Sequence, residues 1–265
     1  MKLTDRVIVV TGAGSGIGAA MARRFVSEKP RALVIADLDL QAASNVAKEV
    51  GGTAIEVDVS DPESNDRLID QTEEQFGPVD LFCANAGIGF AGDEQTAPEM
   101  WDRMWHVNVM SHVHAARRLI PAWVARGQGY FLTTASAAGL LTNLKAAEYS
   151  VTKHAAVAFA EWLSVSYGDQ GVKVSCLCPM GVRTPFLDSA SEFHELLDPY
   201  ALEPGEVADQ VVAGISAEKF LILPHPEVEH YFQNKANDYD RWIEGMRKLQ
   251  RSVFPITGNG QELGI

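Results

Sequence analysis

Cysteine is scarce: Cys83, Cys176 and Cys178 are the whole complement of a 265-residue chain. An odd number of thiols argues against a disulfide framework. Cys176 and Cys178 stand two apart in an apolar run and would share one face of a strand. No second Cys or His pair stands at ligand spacing, so they read as buried thiols and no metal site is expected. His112 and His114 fall on different faces of a helical stretch and make no metal pair either. Basic residues are in deficit too. Lys and Arg number 22 against 35 Asp and Glu, for a formal charge of −13. Nucleic acids and anionic membranes call for a basic face, so neither is expected as a partner. Long apolar runs are also missing. Met1 to Arg6 pass straight into Val7-Ile8-Val9-Val10, too short for a signal-peptide core, and no later run approaches a membrane span. The expectation is a soluble, cytoplasmic protein. No linker, repeat or low-complexity segment divides the chain, so residues 1–265 read as one domain.

What is there is a repeated alternation of strand, turn and helix. Hydrophobic residues make up 46%, enough for a sizeable core. Strands are expected at Arg6–Val10, Ala32–Ala36, Thr53–Val57, Asp80–Ala84, Tyr130–Thr134, Val172–Cys178 and Phe220–Leu223. Between them lie helical stretches at Ala19–Glu28, Leu40–Val50, from Pro62 with Asp61 as its cap, Pro98–Arg126, and around Tyr149 to about Tyr167. Strands that are apolar throughout and alternate with helices imply an α/β protein, a parallel sheet of about seven strands covered on both faces.

Three turns at the carboxyl ends of these strands carry chemistry. Gly12-Ala13-Gly14-Ser15-Gly16-Ile17-Gly18 follows the first strand and opens a helix. Glycines there let backbone approach a pyrophosphate, and free N–H groups at the helix start attract it. Asp37 stands nineteen residues after Gly18, at the end of the second strand, where a carboxylate can accept hydrogen bonds from an adenosine ribose. Asp58-Val59-Ser60 and Asn85-Ala86-Gly87 end the third and fourth strands. Asp58 could meet an adenine amino group, or could only cap a helix. The Asn-Ala-Gly turn could be a turn and nothing more. Their clustering along one sheet edge favours dinucleotide binding for all of them.

Tyr149 and Lys153 form a fourth element. Four residues apart on a helix, they lie on one face, one above the other. A free phenol has a pKa of about 10, and a neighbouring ammonium favours the phenolate, so such a tyrosine can act as a general acid or base. By itself Tyr-x-x-x-Lys arises by chance as a surface pair.

Together these pieces resemble the short-chain dehydrogenase/reductase family, in its shorter branch. The matching residues are Thr11-Gly12-x-x-x-Gly16-x-Gly18, Asn85-Ala86-Gly87, Asn108, Ser136, Tyr149-x-x-x-Lys153, and Pro179 with Thr184. They come in the family's order and cover about the first 190 residues. The resemblance implies a three-layer Rossmann fold and hydride transfer between a nicotinamide and an alcohol/ketone pair. By position, Tyr149 is the acid/base, and Lys153 lowers the phenol pKa and hydrogen-bonds the nicotinamide ribose. Ser136 holds the substrate oxygen, and Asn108 supports a water leading to Lys153. Cofactor contacts fall to Gly12, Ser15, Gly16, Ile17, Gly18, Asp37, Asp58, Val59, Asn85, Ala86, Gly87, Tyr149, Lys153, Pro179, Val182 and Thr184. Asp37, with no Arg or Lys beside it, points to NAD rather than NADP. Many relatives carry Gly directly after Pro179. This chain has Met180 before Gly181, and a methionine does not take positive φ cheaply, so the backbone there is expected to be reshaped.

The segment at about 185–203 would cover the substrate. Phe186, Leu187, Phe193, Leu196 and Leu197 in it, with Phe90, Leu140, Leu141 and Leu144, indicate an apolar pocket for a hydrophobic secondary alcohol or ketone. No cluster of Arg and Lys stands out for an anionic substrate. Other readings are a ketoreductase acting on a carrier- or CoA-bound 3-oxoacyl group, a nucleotide-sensing regulator and a sugar-nucleotide epimerase. The acidic charge and Asp37 count against the ketoreductase, the intact Ser136, Tyr149 and Lys153 against the regulator, and the short C-terminal part against the epimerase. The alanine-rich helices carrying Ala115, Ala116, Ala155, Ala156, Ala158 and Ala160 would, as in relatives, pair across a two-fold axis. A homo-oligomer, tetramer or dimer, is therefore expected; the alternative is that the alanines pack on the sheet.

Overall fold

A computed structural model describes residues 1–189 and 198–254. Seven strands form one sheet: β1 Val7–Thr11, β2 Ala32–Asp37, β3 Thr53–Glu56, β4 Leu81–Ala84, β5 Gly129–Thr134, β6 Val172–Leu177 and β7 Leu221–Ile222. Their order is β3-β2-β1-β4-β5-β6-β7 and every pairing is parallel. β1 lies between β2 and β4, with Val9 opposite Val34 on one side and Phe82 on the other. β1 and β4 therefore flank the point where the strand order reverses, the place where open α/β sheets bind ligands.

The central strands read as unbroken β-branched and apolar runs because helices cover both faces. On one face lie α1 Gly16–Val26, α2 Leu40–Val50 and α8 Pro204–Ser216, packed on Ile8, Val10, Ile35, Leu132 and Leu177. On the other lie α3 Pro62–Phe76, α5 Ser111–Arg126 and α6 Ala147–Tyr167, packed on Val9, Val34, Phe82, Phe131 and Cys176. Local signals match local structure. Asp61 caps α3 by accepting from the N–H groups of Glu63 and Ser64, with Pro62 in the first turn. Asp39 caps α2 through the Ala42 N–H, and Gly51 ends it at φ 67°.

Two sequence expectations change in detail. The helix expected without a break over 98–126 is α4 Pro98–Trp105, a π-helical turn His106–Met110, and α5. The extra residue in that turn sits around Asn108, and such bulges recur at functional positions. The alanines named for assembly divide. Ala115, Ala116, Ala156 and Ala160 are buried against the sheet, so they serve the core. Ala158 is exposed, as are the large apolar side chains Val151, Trp162 and Val165 of α6.

The chain continues through α7 Pro185–Ser189 and ends, among the described residues, with a hairpin of α9 Pro226–Asn237 and α10 Tyr239–Val253. The three thiols are free and buried, and no group of His, Cys, Asp and Glu among the described residues could hold a metal. None of the described helices is long and apolar enough to cross a membrane.

Candidate active site

The carboxyl edge of the sheet opens into a cleft of about 1370 Å³. Its first half is built from backbone. Gly12 takes φ 62°, and a Cβ there would come within 2.8 Å of the Ala86 Cα; at Gly18 a Cβ would strike the Gly12 carbonyl. The turn is therefore folded onto itself and onto the Asn85-Ala86 turn as only glycine permits. Ser15 stands at the N-cap of α1 in extended conformation, with no side-chain cap and no acid in the first turn. Ser15, Gly16, Ile17 and Gly18 line the cleft, and a helix start leaves its first N–H groups without intrahelical acceptors, a donor set that fits a phosphate. Asp37 is fastened beside it, accepting from Gly14 N at 2.8 Å and Asp39 N at 3.0 Å. Each carboxylate oxygen keeps a further lone pair for a hydroxyl. Asp58 accepts from the N–H and hydroxyl of Ser60 at 2.9 and 2.6 Å. Val59 is buried beside it on the cleft wall.

Asn85 turns its amide inward, donating to the carbonyls of Thr11 and Gly12 at 3.0 and 3.3 Å. The N–H groups of Asn85 and Ala86 both donate to the Thr11 hydroxyl, at 3.0 and 3.1 Å. Thr11, quoted within the glycine motif but not among the expected site residues, is thus the pin that joins two of the three turns. Its place as the last residue of β1 was the available signal.

The second half holds the side chains expected to react. Ser136 follows β5, and its Oγ accepts from Ala138 N at 3.1 Å and lies 3.5 Å from the Pro179 carbonyl. Tyr149 and Lys153 project from the first turns of α6, with Nζ 5.6 Å from the phenol ring centroid. Lys153 is only 3% exposed and donates to the Thr134 carbonyl at 3.1 Å. Burial pushes its pKa down to about 8. Burial also pushes the Tyr149 phenol up, to about 12, while the Ser136 hydroxyl beside it pulls the other way. Behind Lys153 sits His112, 1% exposed, with neither ring nitrogen hydrogen-bonded and a pKa lowered to about 3 by burial and by the lysine charge.

Asn108 is fully buried and does not reach the cleft wall. Its amide accepts from Ile88 N and donates to Ile88 O, both at 2.9 Å, and donates to Thr152 Oγ1 at 3.2 Å. It fastens the turn after β4 to α6, so the side chain is committed to that joint. The other expected residues, Gly12, Ser15, Gly16, Ile17, Gly18, Asp37, Asp58, Val59, Asn85, Ala86, Gly87, Ser136, Tyr149, Lys153, Pro179, Val182 and Thr184, all line the cleft. Met180 and Gly181 both keep negative φ, so methionine after Pro179 carries no left-handed strain there.

Phe90, Leu141, Leu144, Phe186 and Leu187 also line the cleft, with the Phe186 ring 5.8 Å from that of Tyr149. Leu140 is turned into the core, and Phe193, Leu196 and Leu197 lie outside the described residues. The far wall was missed. It is the C-terminal hairpin, which contributes Tyr231, Asn234, Arg241, Trp242, Met246 and Leu249. The signal was present as helical spacing, since Asp238, Trp242, Gly245, Met246 and Leu249 recur every three or four residues along one face.

A family model described as short chain dehydrogenase matches residues 6–195. Among curated proteins, 1-deoxy-11-beta-hydroxypentalenate dehydrogenase of Streptomyces exfoliatus is 31% identical over 252 residues, covering 92% of this chain and 91% of its own. Among solved structures, a short chain dehydrogenase/reductase from Burkholderia phymatum in complex with NAD superposes with a TM-score of 0.83 at 28% identity, over 91% of this chain and 96% of that one. A 3-ketoacyl-(acyl-carrier-protein) reductase from Brucella melitensis complexed with NADH gives 0.77 at 30% identity, over 83% and 96%.

Proposed function

The chain belongs to the short chain dehydrogenase family, and on that premise we propose that it interconverts a hydrophobic secondary alcohol and its ketone with NAD(H), using Tyr149 as acid/base. The observation that carries this reading is one continuous cleft with two kinds of wall. An uncapped helix start and the Asp37 carboxylate line one end, and Tyr149, Ser136 and Lys153 line the other. A bound nicotinamide supplies the hydride acceptor or donor.

The chain's own residues do the rest. Gly12 to Gly18 and the first turn of α1 hold the pyrophosphate by backbone N–H groups, and Asp37 takes the adenosine ribose hydroxyls. Ser136 Oγ, fixed by Ala138 N, holds the substrate oxygen against the phenol. With its pKa at about 12, the Tyr149 phenol rests protonated at neutral pH and can give its proton to a ketone oxygen in reduction. In oxidation the phenol must give up its own proton before it takes the one from the substrate hydroxyl, and the Lys153 ammonium beside the ring favours that phenolate. Phe90, Leu144, Phe186, Trp242 and Met246 exclude water around the reacting carbon and accept a bulky apolar body.

The similarity to an NADH-bound 3-ketoacyl reductase keeps a 3-oxoacyl thioester as the second reading. The formal charge of −13 disfavours an acidic carrier as its source. The unbroken sheet supports reading the chain as one domain, and Pro185, Phe186, Leu187 and Tyr200 on the cleft wall support a substrate-facing role for their segment. The exposed Trp162 and Val165 of α6 support assembly into a homo-oligomer; light scattering that shows a monomer at micromolar concentration would remove that part. The functional test is a panel of secondary alcohols, ketones and 3-oxoacyl thioesters with NAD(H) and NADP(H). Turnover of bulky alcohols with NAD is expected, and no turnover of any member would overturn the proposal.

A further inference from the structure

Two buried side chains of the C-terminal hairpin reach out of it to the two loops that frame Tyr149. His225, the residue before α9, is 3% exposed. Met180 N donates to its Nδ1 at 3.1 Å, and Nε2 stands 3.0 Å from the Gly181 carbonyl. These two backbone partners settle the tautomer, since Nδ1 must accept and Nε2 must carry the hydrogen. Lys235, near the end of α9, is 6% exposed. Its Nζ donates to the carbonyls of Leu140 at 2.7 Å and Leu141 at 3.4 Å. It also lies 3.5 Å from His154 Nε2 and over the Tyr239 ring. None of these partners is a carboxylate. An apolar side chain of the same length would fill the space without the desolvation that a buried ammonium entails, so packing alone does not explain a lysine here.

The clamped loops are bonded to each other at the reaction centre. The N–H groups of Leu140 and Leu141 both donate to the Ala137 carbonyl, so the backbone runs as one hydrogen-bonded turn from Ser136 to Leu141. Ala137 N donates to Pro179 O at 2.7 Å, and Met180 and Gly181 follow Pro179 directly. α10 in turn has no fully buried residue, and sets Trp242 and Met246 on the cleft.

We propose that His225 and Lys235 are positioning residues of the reaction, holding the Pro179–Gly181 and Ser136–Leu141 backbones in register with Tyr149 and making the seating of the hairpin a condition of turnover. This rests on the dehydrogenase reading above. Small displacements of positioned groups lower rates by up to on the order of 10²-fold. Lys235 acts on the loop of the substrate-binding serine, and His225 on the loop that faces the cofactor, so their removal should have different signatures.

The test uses the full chain with Lys235→Met and His225→Phe, assayed well below each variant's melting temperature. Lys235→Met should lower kcat at least tenfold with NADH affinity within twofold of wild type, and Lys235→Gln, which keeps a donor, should recover part of that loss. His225→Phe should weaken NADH binding at least fivefold. Variants that melt earlier yet keep kcat and NADH affinity within twofold show a merely structural role and overturn the proposal. Hydrogen exchange gives a readout independent of activity. Lys235→Met should speed exchange in peptides covering 136–141, and His225→Phe in those covering 179–183. Unchanged exchange in both overturns the clamp even if the wild type turns over no alcohol. Failure of the dehydrogenase reading shows separately, as a wild type that neither binds NADH nor oxidises any alcohol.

Discussion

The two ends of the cleft are built in opposite ways. The glycine-turn end sits chiefly on β1 and β2, whose residues are almost all buried, and its cleft-lining carboxylates are tied down by neighbouring backbone. The hairpin end presents side chains from α10, a helix with no buried residue, held to the body through α9, His225, Lys235 and the packing of Met246 and Phe254 on Leu144 and Ala146. A ligand that never changes can be gripped by backbone, which no substitution removes. A ligand that differs between relatives is better shaped by side chains on peripheral elements, where replacement leaves the sheet intact.

The largest expected effect lies at the seam between the ends. Tyr149→Phe should lower kcat by about 10²–10⁴-fold while leaving cofactor and substrate affinity near wild type, because the ring still packs against Phe186 and only the proton is lost. Near-normal turnover in single-turnover assays would take Tyr149 out of the mechanism. Asp37→Ala should act on the glycine end alone. A 2′-phosphate about 4 Å from that carboxylate is repelled by roughly 1 kcal/mol in water and 4 kcal/mol at an effective dielectric near 20. At about 1.4 kcal/mol per tenfold, the wild type should favour NAD by roughly fivefold to a thousandfold, and the variant should narrow the gap. Comparing kcat/KM for the two cofactors checks this, and a wild type that uses NADP equally well sinks the assignment.

Trp242→Ala should act on the hairpin end alone. We expect KM for a bulky alcohol to rise about tenfold, in line with the roughly 1–3 kcal/mol of burying an aromatic side chain against a ligand, with KM for NAD unchanged. If both KM values move together, the two ends are not independent. The smallest effect on activity is expected behind Lys153. Above pH 6.5 the His112 imidazole is neutral whether the chain is folded or not. Below that, the unfolded chain takes up a proton that the folded chain refuses until about pH 3, so stability falls by up to roughly 1.4 kcal/mol per pH unit across the window. His112→Leu should flatten this acid slope in denaturant titrations and leave kcat at pH 8 within about twofold. An unaltered slope would show that His112 is protonated or partnered in the fold.

The legible parts share a physical cause. β1, the glycine turn, Asp37 and Asp61 act within a few residues of themselves: φ > 0, a cap, a helix start or a strand end are local requirements with local sequence marks. The spacing of Tyr149 and Lys153 puts them on one helix face, but their role was legible only through the family resemblance of the whole motif set. Asn108 was legible as a residue but its hydrogen bonds were not, because its amide reaches Ile88 and Thr152, 20 and 44 positions away. Burial at Tyr149, which pushes the phenol up, is not visible in the spacing, since charge proximity shows in spacing and desolvation does not.

By itself, then, the sequence determined the alternation of strands and helices, the glycine turn after β1, the carboxylate beside it and the placing of Tyr149 and Lys153 on one helix face, because each is set by short-range backbone geometry. Only the tertiary structure decided that α9 and α10 fold back to wall the cleft, that His225 and Lys235 grip the loops around Tyr149, and that Lys153 is held near a pKa of 8. Those depend on which surfaces exclude water from which groups. Burial and long-range hydrogen bonding arise when segments far apart in the chain pack together, and no window of residues contains them.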